Sequence, residues 1–173
     1  EPLAGGCCRY LALAGGLVGD GPFSHGPRRP AVEGRQRPPW TQLGGWAPAR
    51  GRLRALPGPE FEPDTNLVLD GPWSVQPGSD RRGLRLHGPS LPLASFDIRS
   101  APVTDGLVQA TAAGPIVLLR DRQTIGGYPR ILQVIDSDID LAAQLAPGMV
   151  CHFELVDEAT AAACRAARAQ ACT

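Results

Sequence analysis

Residues 114–135 read GPIVLLRDRQTIGGYPRILQVI, and the fold turns on how this stretch is taken. Two apolar runs, "PIVLL" (115–119) and "RILQVI" (130–135), flank a polar centre. Each run is too short for a stable helix and is bounded by Gly, Pro or charged residues, which is the pattern of strands. "PIVLL" is apolar throughout, so it belongs near the centre of a sheet. The centre holds Asp121, Gln123 and Thr124, then Gly126-Gly127-Tyr128-Pro129. A double glycine either supplies positive φ or lets something approach the backbone closely. A hairpin turn explains the segment as readily as the floor of a binding site does.

Outward from this stretch the strand pattern continues. "WSVQ" from Trp73 leads to the turn "PGSD", and "GLRLHG" alternates Leu84 and Leu86 against Arg85 and His87. "GLVQA" and "VCHFELV" follow the same rule, and Arg52–Leu56 fits a short strand upstream. Two short helices are expected. Asp138 is placed to cap Ile139–Leu145 ahead of Pro147-Gly148, and Asp157 to cap the Ala-rich tail to about Gln170. Residues 20–72 are irregular and rich in Pro, Gly and Arg, which leaves room only for short elements. Residues 1–19 read as a strand, "CRYLALAGG", and a turn. The expectation is a mainly β chain: a strand and an irregular segment over 1–72, then a β-barrel or sandwich over 73–173 with a C-terminal helix.

Composition excludes several functions. Acidic and basic residues balance at 17 each, so no overall field favours nucleic acid or an anionic membrane. Every basic residue is arginine. Without lysine there is no P-loop phosphate ligand, no Schiff base and no attachment point for biotin or lipoate in this chain. The five cysteines (7, 8, 151, 164, 172) match neither zinc spacing nor a disulfide framework, and read as reduced thiols of a cytoplasmic protein. "LALAGGLVG" is too short to cross a bilayer. His25, His87 and His152 show no metal spacing, and no metal site is expected.

Two polar segments are the candidate sites. The first is "SDRRGLRLHG" (79–88), with Asp80, Arg81 and Arg85; the second is the Asp121–Tyr128 centre. Read by spacing alone, the first is equally an Asx-turn with surface arginines, and Asp121-Arg122 equally an exposed pair.

These same segments carry a resemblance. "SDRRGLRLHGPSL", "GLVQA" and "GPIVLLRDRQTIGGYPRILQVIDSDIDLAAQLAPGMVCHFELV" together resemble the subunit-2 family of allophanate hydrolases. That family includes the KipA proteins, the C subunit of the prokaryotic 5-oxoprolinase, and one half of the urea amidolyase carboxyltransferase domain. The resemblance covers residues 73–160, with "CRYLALAGG" a looser match. Arg82 stands where the family has Met, and Thr111-Ala112 where it has Pro-Pro. The family's N-terminal motifs are not found ahead of Glu1, so the chain is expected to be a fragment or a shortened relative, and inactive alone.

The resemblance implies a cyclophilin-like β-barrel that pairs with a homologous subunit 1 (KipI-like, or the B subunit of 5-oxoprolinase), and with a lactam-hydrolase subunit in the 5-oxoprolinase case. It implies Asp121, Arg81 and Asp80 as catalytic residues. Arg85, Gln109, Gln123, Thr124, Gly126, Gly127 and Tyr128 would bind a small-molecule substrate or cofactor. ATP or carboxybiotin would be presented by partner subunits. Three activities are implied: ATP-dependent opening of 5-oxoproline, biotin-dependent carboxyl transfer to urea, or non-catalytic regulation by binding a kinase inhibitor.

Overall fold

The computed structural model describes residues 51–62, 68–69, 71–91, 93 and 95–171. The expected strand at "CRYLALAGG", His25, and Cys7, Cys8 and Cys172 lie outside the described residues.

Strand β3 (Gly83–His87) shows how alternation becomes structure. Leu84 and Leu86 are buried while Arg85 and His87 are exposed. Its partners β2 (Trp73–Val75) and β6 (Gly114–Leu118) run antiparallel on either side, with Leu84 opposite Val117 and Leu86 opposite Val75. Strands β1 (Arg52–Pro57), β5 (Leu107–Thr111), β8 (Arg130–Val134) and β9 (Val150–Leu155) complete a closed barrel in the order β1-β8-β5-β6-β3-β2-β9. Closure comes from a parallel pair, β1 with β9, in an otherwise antiparallel barrel. The barrel expected from the sequence is therefore present. It begins earlier than residue 73, because β1 is one of its staves.

Inward-facing side chains fill the interior. Leu53, Trp73, Val75, Leu86, Val108, Val117 and Leu132 are all at most 1% exposed. Each such aliphatic side chain contributes ~1.5–3 kcal/mol relative to an exposed one. The Trp73 indole N–H is satisfied by the Val68 carbonyl at 2.6 Å.

A two-stranded ribbon, β4 (Ala101–Pro102) with β7 (Ile125–Gly126), was not expected from the sequence. It covers part of the outer wall. Val103 packs there on Leu107, Leu118 and Ile116, residues that face away from the barrel interior. This cover explains why "LVQA" is buried at all four positions instead of alternating.

Helix α1 spans Asp136–Ala142, so both of its ends lie nearer the N-terminus than the expected Ile139–Leu145. Asp138 does not cap it: Ile135 occupies the N-cap without a side-chain bond. Asp138 lies in the first turn, fully buried, and accepts bonds from Arg54 N, Nε and Nη2 at 2.9, 3.0 and 2.6 Å. A buried guanidinium needs a carboxylate more than a helix end needs a cap. Helix α2 (Glu158–Ala171) begins as expected, with Asp157 Oδ1 accepting the Thr160 N–H at 2.7 Å. No helix among the described residues is long and apolar enough to cross a membrane.

Candidate functional site

The turn ahead of β3 holds the first polar segment. Asp80 Oδ1 accepts Arg82 N at 2.8 Å and Gly83 N at 3.3 Å, while Oδ2 accepts Arg82 Nε at 2.9 Å. These bonds, led by the one from the Arg82 side chain, pull the Asp80 pKa down to about 2. Its carboxylate is thus committed to its own turn, beside Arg82. Ser79 Oγ ties the turn to β3 by accepting Arg85 N at 3.0 Å.

Backbone pairing between β3 and β6 continues past both strand ends. Leu119 N donates to Arg82 O at 2.9 Å and Asp121 N to Arg81 O at 3.1 Å. The two polar segments are therefore neighbours, as a shared site requires. Arg81 Nη2 lies 3.0 Å from Asp121 Oδ2, with side chains 85% and 46% exposed. Arg122 turns the other way, its Nε 2.9 Å from Asp105 Oδ1, so Asp121 and Arg122 do not form a pair. That nitrogen is buried and lacks an aligned hydrogen bond despite the short separation, so the contact is an ion pair rather than a well-directed bond.

The second group centres on Gln109, which is 1% exposed. On the outer face of β5 it stands opposite Ile116 of β6 and Arg130 of β8. A register shift in the β5–β8 pairing falls here: Val108 opposes Leu132 but Gln109 opposes Arg130. Irregularities of this kind re-aim side chains beside functional sites. The Gln109 amide donates to Tyr128 O at 3.5 Å and accepts from Gln123 Nε2 at 3.4 Å. It is enclosed, so it positions Gln123 and the Tyr128 carbonyl from beneath.

Gly126 is the reason Gln109 fits. A Cβ there would lie 2.5 Å from Gln109 Nε2 and 3.2 Å from Val103 Cγ1. Neither Gly126 nor Gly127 has positive φ, which removes that explanation of the double glycine. The close approach is made by the chain itself. Gly127 O accepts Ile98 N at 2.8 Å, Thr124 O accepts Val103 N at 3.1 Å and Pro129 O accepts Ala110 N at 2.9 Å. With the backbone stitched down in this way, the side chains of Gln123, Thr124, Ile125 and Tyr128 are left exposed.

Two residues that the sequence pattern did not single out fix the exit of this segment. Arg130, next after Tyr128-Pro129, donates to Glu60 from N, Nε and Nη2 at 2.9, 2.9 and 2.6 Å. The Arg130 side chain holds the Glu60 carboxyl below its ordinary pKa. An arginine directly after the turn was the available signal, but its partner is 70 residues away.

Arg85 completes the surface. Its stem lies against Gly78, and among the described residues its guanidinium has no ion-pair partner. Guanidinium groups suit planar oxyanions, which they bind with two parallel bonds. The Arg81–Asp121 pair is worth only ~0–1 kcal/mol in so open a setting, so an incoming anion can displace Asp121 from Arg81. The expected residues thus form two adjoining groups: Arg81 with Asp121, and Gln109 with Gln123, Gly126 and Tyr128. Asp80 supports the turn. A cleft of about 360 Å³ lies elsewhere, lined in part by Asp105, Arg120 and Arg122. It includes none of the expected site residues, and the polar surface just described is open.

The profile of the carboxyltransferase domain, subdomain A and B, matches residues 23–155, and the chain belongs to that family. Over 124 residues it is 37% identical to the C subunit of 5-oxoprolinase from Haemophilus influenzae, covering 68% of this chain and 40% of that protein. Over 108 residues it is 40% identical to the Escherichia coli protein of the same name, covering 59% of this chain and 35% of that one. The chain thus spans well under half the length of these relatives. The solved structure of TTHA0988 is 37% identical with a TM-score of 0.57, over 74% of this chain and 24% of that one. The Kluyveromyces lactis urea amidolyase shares the fold, at TM-score 0.65 and 19% identity over 69% of this chain and 8% of that one.

Proposed function

We propose that this chain is part of the C-type component of a 5-oxoprolinase, a cytoplasmic complex that opens the lactam of 5-oxoproline to glutamate with ATP. The carrying observation is the 37% and 40% identity to proteins of that name. Ring opening adds water across the amide C–N bond, giving the side-chain carboxylate and amine of glutamate. Arg85 and Arg81 would take the substrate carboxylate. Asp121, released from Arg81 by that carboxylate, would position water or accept its proton. Gln123 and Thr124 would bond the lactam amide beside Tyr128, on a Gly126-Gly127 backbone packed down onto Gln109 and Ile98. ATP would be handled by partners, a subunit-1-like chain and a lactam-hydrolase-like chain, since this chain has no lysine for a P-loop.

A second reading is favoured by the family match and the fold shared with urea amidolyase: carboxyl transfer from a biotin carried on another chain. The same arginines would then hold a carboxylate or carbamate. Reconstitution with the two partner subunits separates the readings. Glutamate release from 5-oxoproline that requires ATP, and falls with Arg85→Gln, supports the first. Absence of lactam opening together with carboxyl transfer from carboxybiotin would replace it with the second.

A further inference from the structure

Helix α2 is attached to the barrel by charge far more than by apolar packing. Along its length only Ala161 is buried, and Cys164 and Arg168 are half-buried; its other described side chains are exposed. Among the described residues none from α2 belongs to the main apolar core. Clefts open on both sides of its seam with the barrel. One is lined by Ala161 and Arg165 with Leu56 and Ile139, the other by Glu158 and Thr160 with Leu56 and Leu155.

The attachments are polar and partly buried. Arg168 donates to Asp136 O at 2.7 Å, pairs with the Asp140 carboxylate, and lies 3.5 Å from Asp136 Oδ2. Arg54 Nη1 donates to Cys164 Sγ at 2.8 Å. The helix is favoured by its own sequence, which is rich in alanine and capped by Asp157. Nor is Arg168 the one cation beside these carboxylates. Arg120 lies 3.8 Å from Asp136 and 3.7 Å from Asp140, while bonding Asp105 at 2.6 Å. Asp136 and Asp140 are already about half exposed, so when α2 lets go, water and the shared Arg120 take the place of Arg168, which is the condition for a contact with two accessible states.

We propose that α2 is an electrostatic latch: an intact helix that lifts off the barrel when its ion pairs are screened or cut, uncovering an apolar and acidic strip formed by Leu56, Ile139, Asp136 and Asp140. The barrel itself stays closed, because the buried Arg54–Asp138 pair joins β1 to α1 and involves no α2 carboxylate.

Cys164 reports the docked state and Cys151, buried in the core, reports the barrel. The test is maleimide labelling of the full chain with peptide mapping, each rate divided by that of the same cysteine in a free peptide. Protection of Cys164 should fall about tenfold between about 20 mM and about 1 M NaCl, where the screening length is ~3 Å. Arg168→Gln should lower protection at low salt and flatten the salt response, and Arg168→Lys should restore part of both. Cys151 should stay unlabelled throughout. Salt-independent protection of Cys164 would overturn the proposal. So would a salt response unchanged by Arg168→Gln, or labelling of Cys151 in step with Cys164.

Discussion

The pairs Arg54–Asp138 and Arg81–Asp121 use the same two side chains at similar separations, 2.6 and 3.0 Å, in opposite settings. The first joins β1 to α1 with side chains 15% and 0% exposed; the second bridges two surface turns at 85% and 46%. In the first, each charge has given up its water and depends on its partner. In the second, water is a ready substitute, so the pair can open to admit something else. Burial decides which pair holds the fold and which can open.

The largest test removes one half of the buried pair. Asp138→Ala should cost about 3–5 kcal/mol, read as a shift in the urea midpoint, because Arg54 is left charged and enclosed. Replacing both, Arg54→Met with Asp138→Leu, should recover most of that loss, since no orphan charge remains. If the double variant is as unstable as the single one, the pair does more than neutralise itself.

Next comes the floor of the candidate site. Gly126→Ala drives a methyl against the enclosed Gln109 amide and Val103, and should cost about 1–3 kcal/mol. At Gly127 the new carbon would meet Ile98 O at 3.3 Å and Ser100 Oγ at 3.4 Å, so Gly127→Ala should cost about 1 kcal/mol or less. Thermal melts of the two variants side by side give the difference; equal melts would mean that Gln109 moves aside freely.

The exposed pair comes below these in stability. Arg81→Ala and Asp121→Ala should each change stability by less than ~1 kcal/mol. If the proposed site is right, each should lower turnover of the reconstituted complex by about a hundredfold or more. Turnover that survives Asp121→Ala would return the pair to a surface role.

The smallest effect is the pH dependence of the Asp80 turn. Its pKa is depressed from 3.8 to about 2, so its contribution is present above the ordinary value and lost as pH falls through about 2. Asp80→Asn should remove this acid-dependent step, followed by stability measured from neutral pH to about pH 2, and leave the neutral-pH fold intact.

Sequence pattern alone located β1, β2, β3, β5, β6, β8, β9 and the start of α2, because alternation and turn residues are local signals. It misplaced α1, because the demand on Asp138 comes from Arg54, 84 residues away. It missed β4 and β7, which are too short to show a period and exist only by pairing with each other. The candidate residues were legible as two polar segments, but their roles were not. The Asx-turn at Asp80 was legible as one of two readings, because Arg82 is only two residues away, but nothing local says that Gln109 is roofed over while Gln123 is open.

What the sequence determined by itself is therefore the inventory: a β-rich chain, two polar turns, arginine as the only basic residue, and a double glycine with a purpose. Tertiary structure decided the rest. It closed the barrel through a parallel β1–β9 pair, set the two turns beside each other, and laid the Gly126 backbone against Gln109. The physical reason is range. Periodicity, capping and turn chemistry act over a few residues, whereas burial and charge pairing depend on which distant residues the closed barrel brings together.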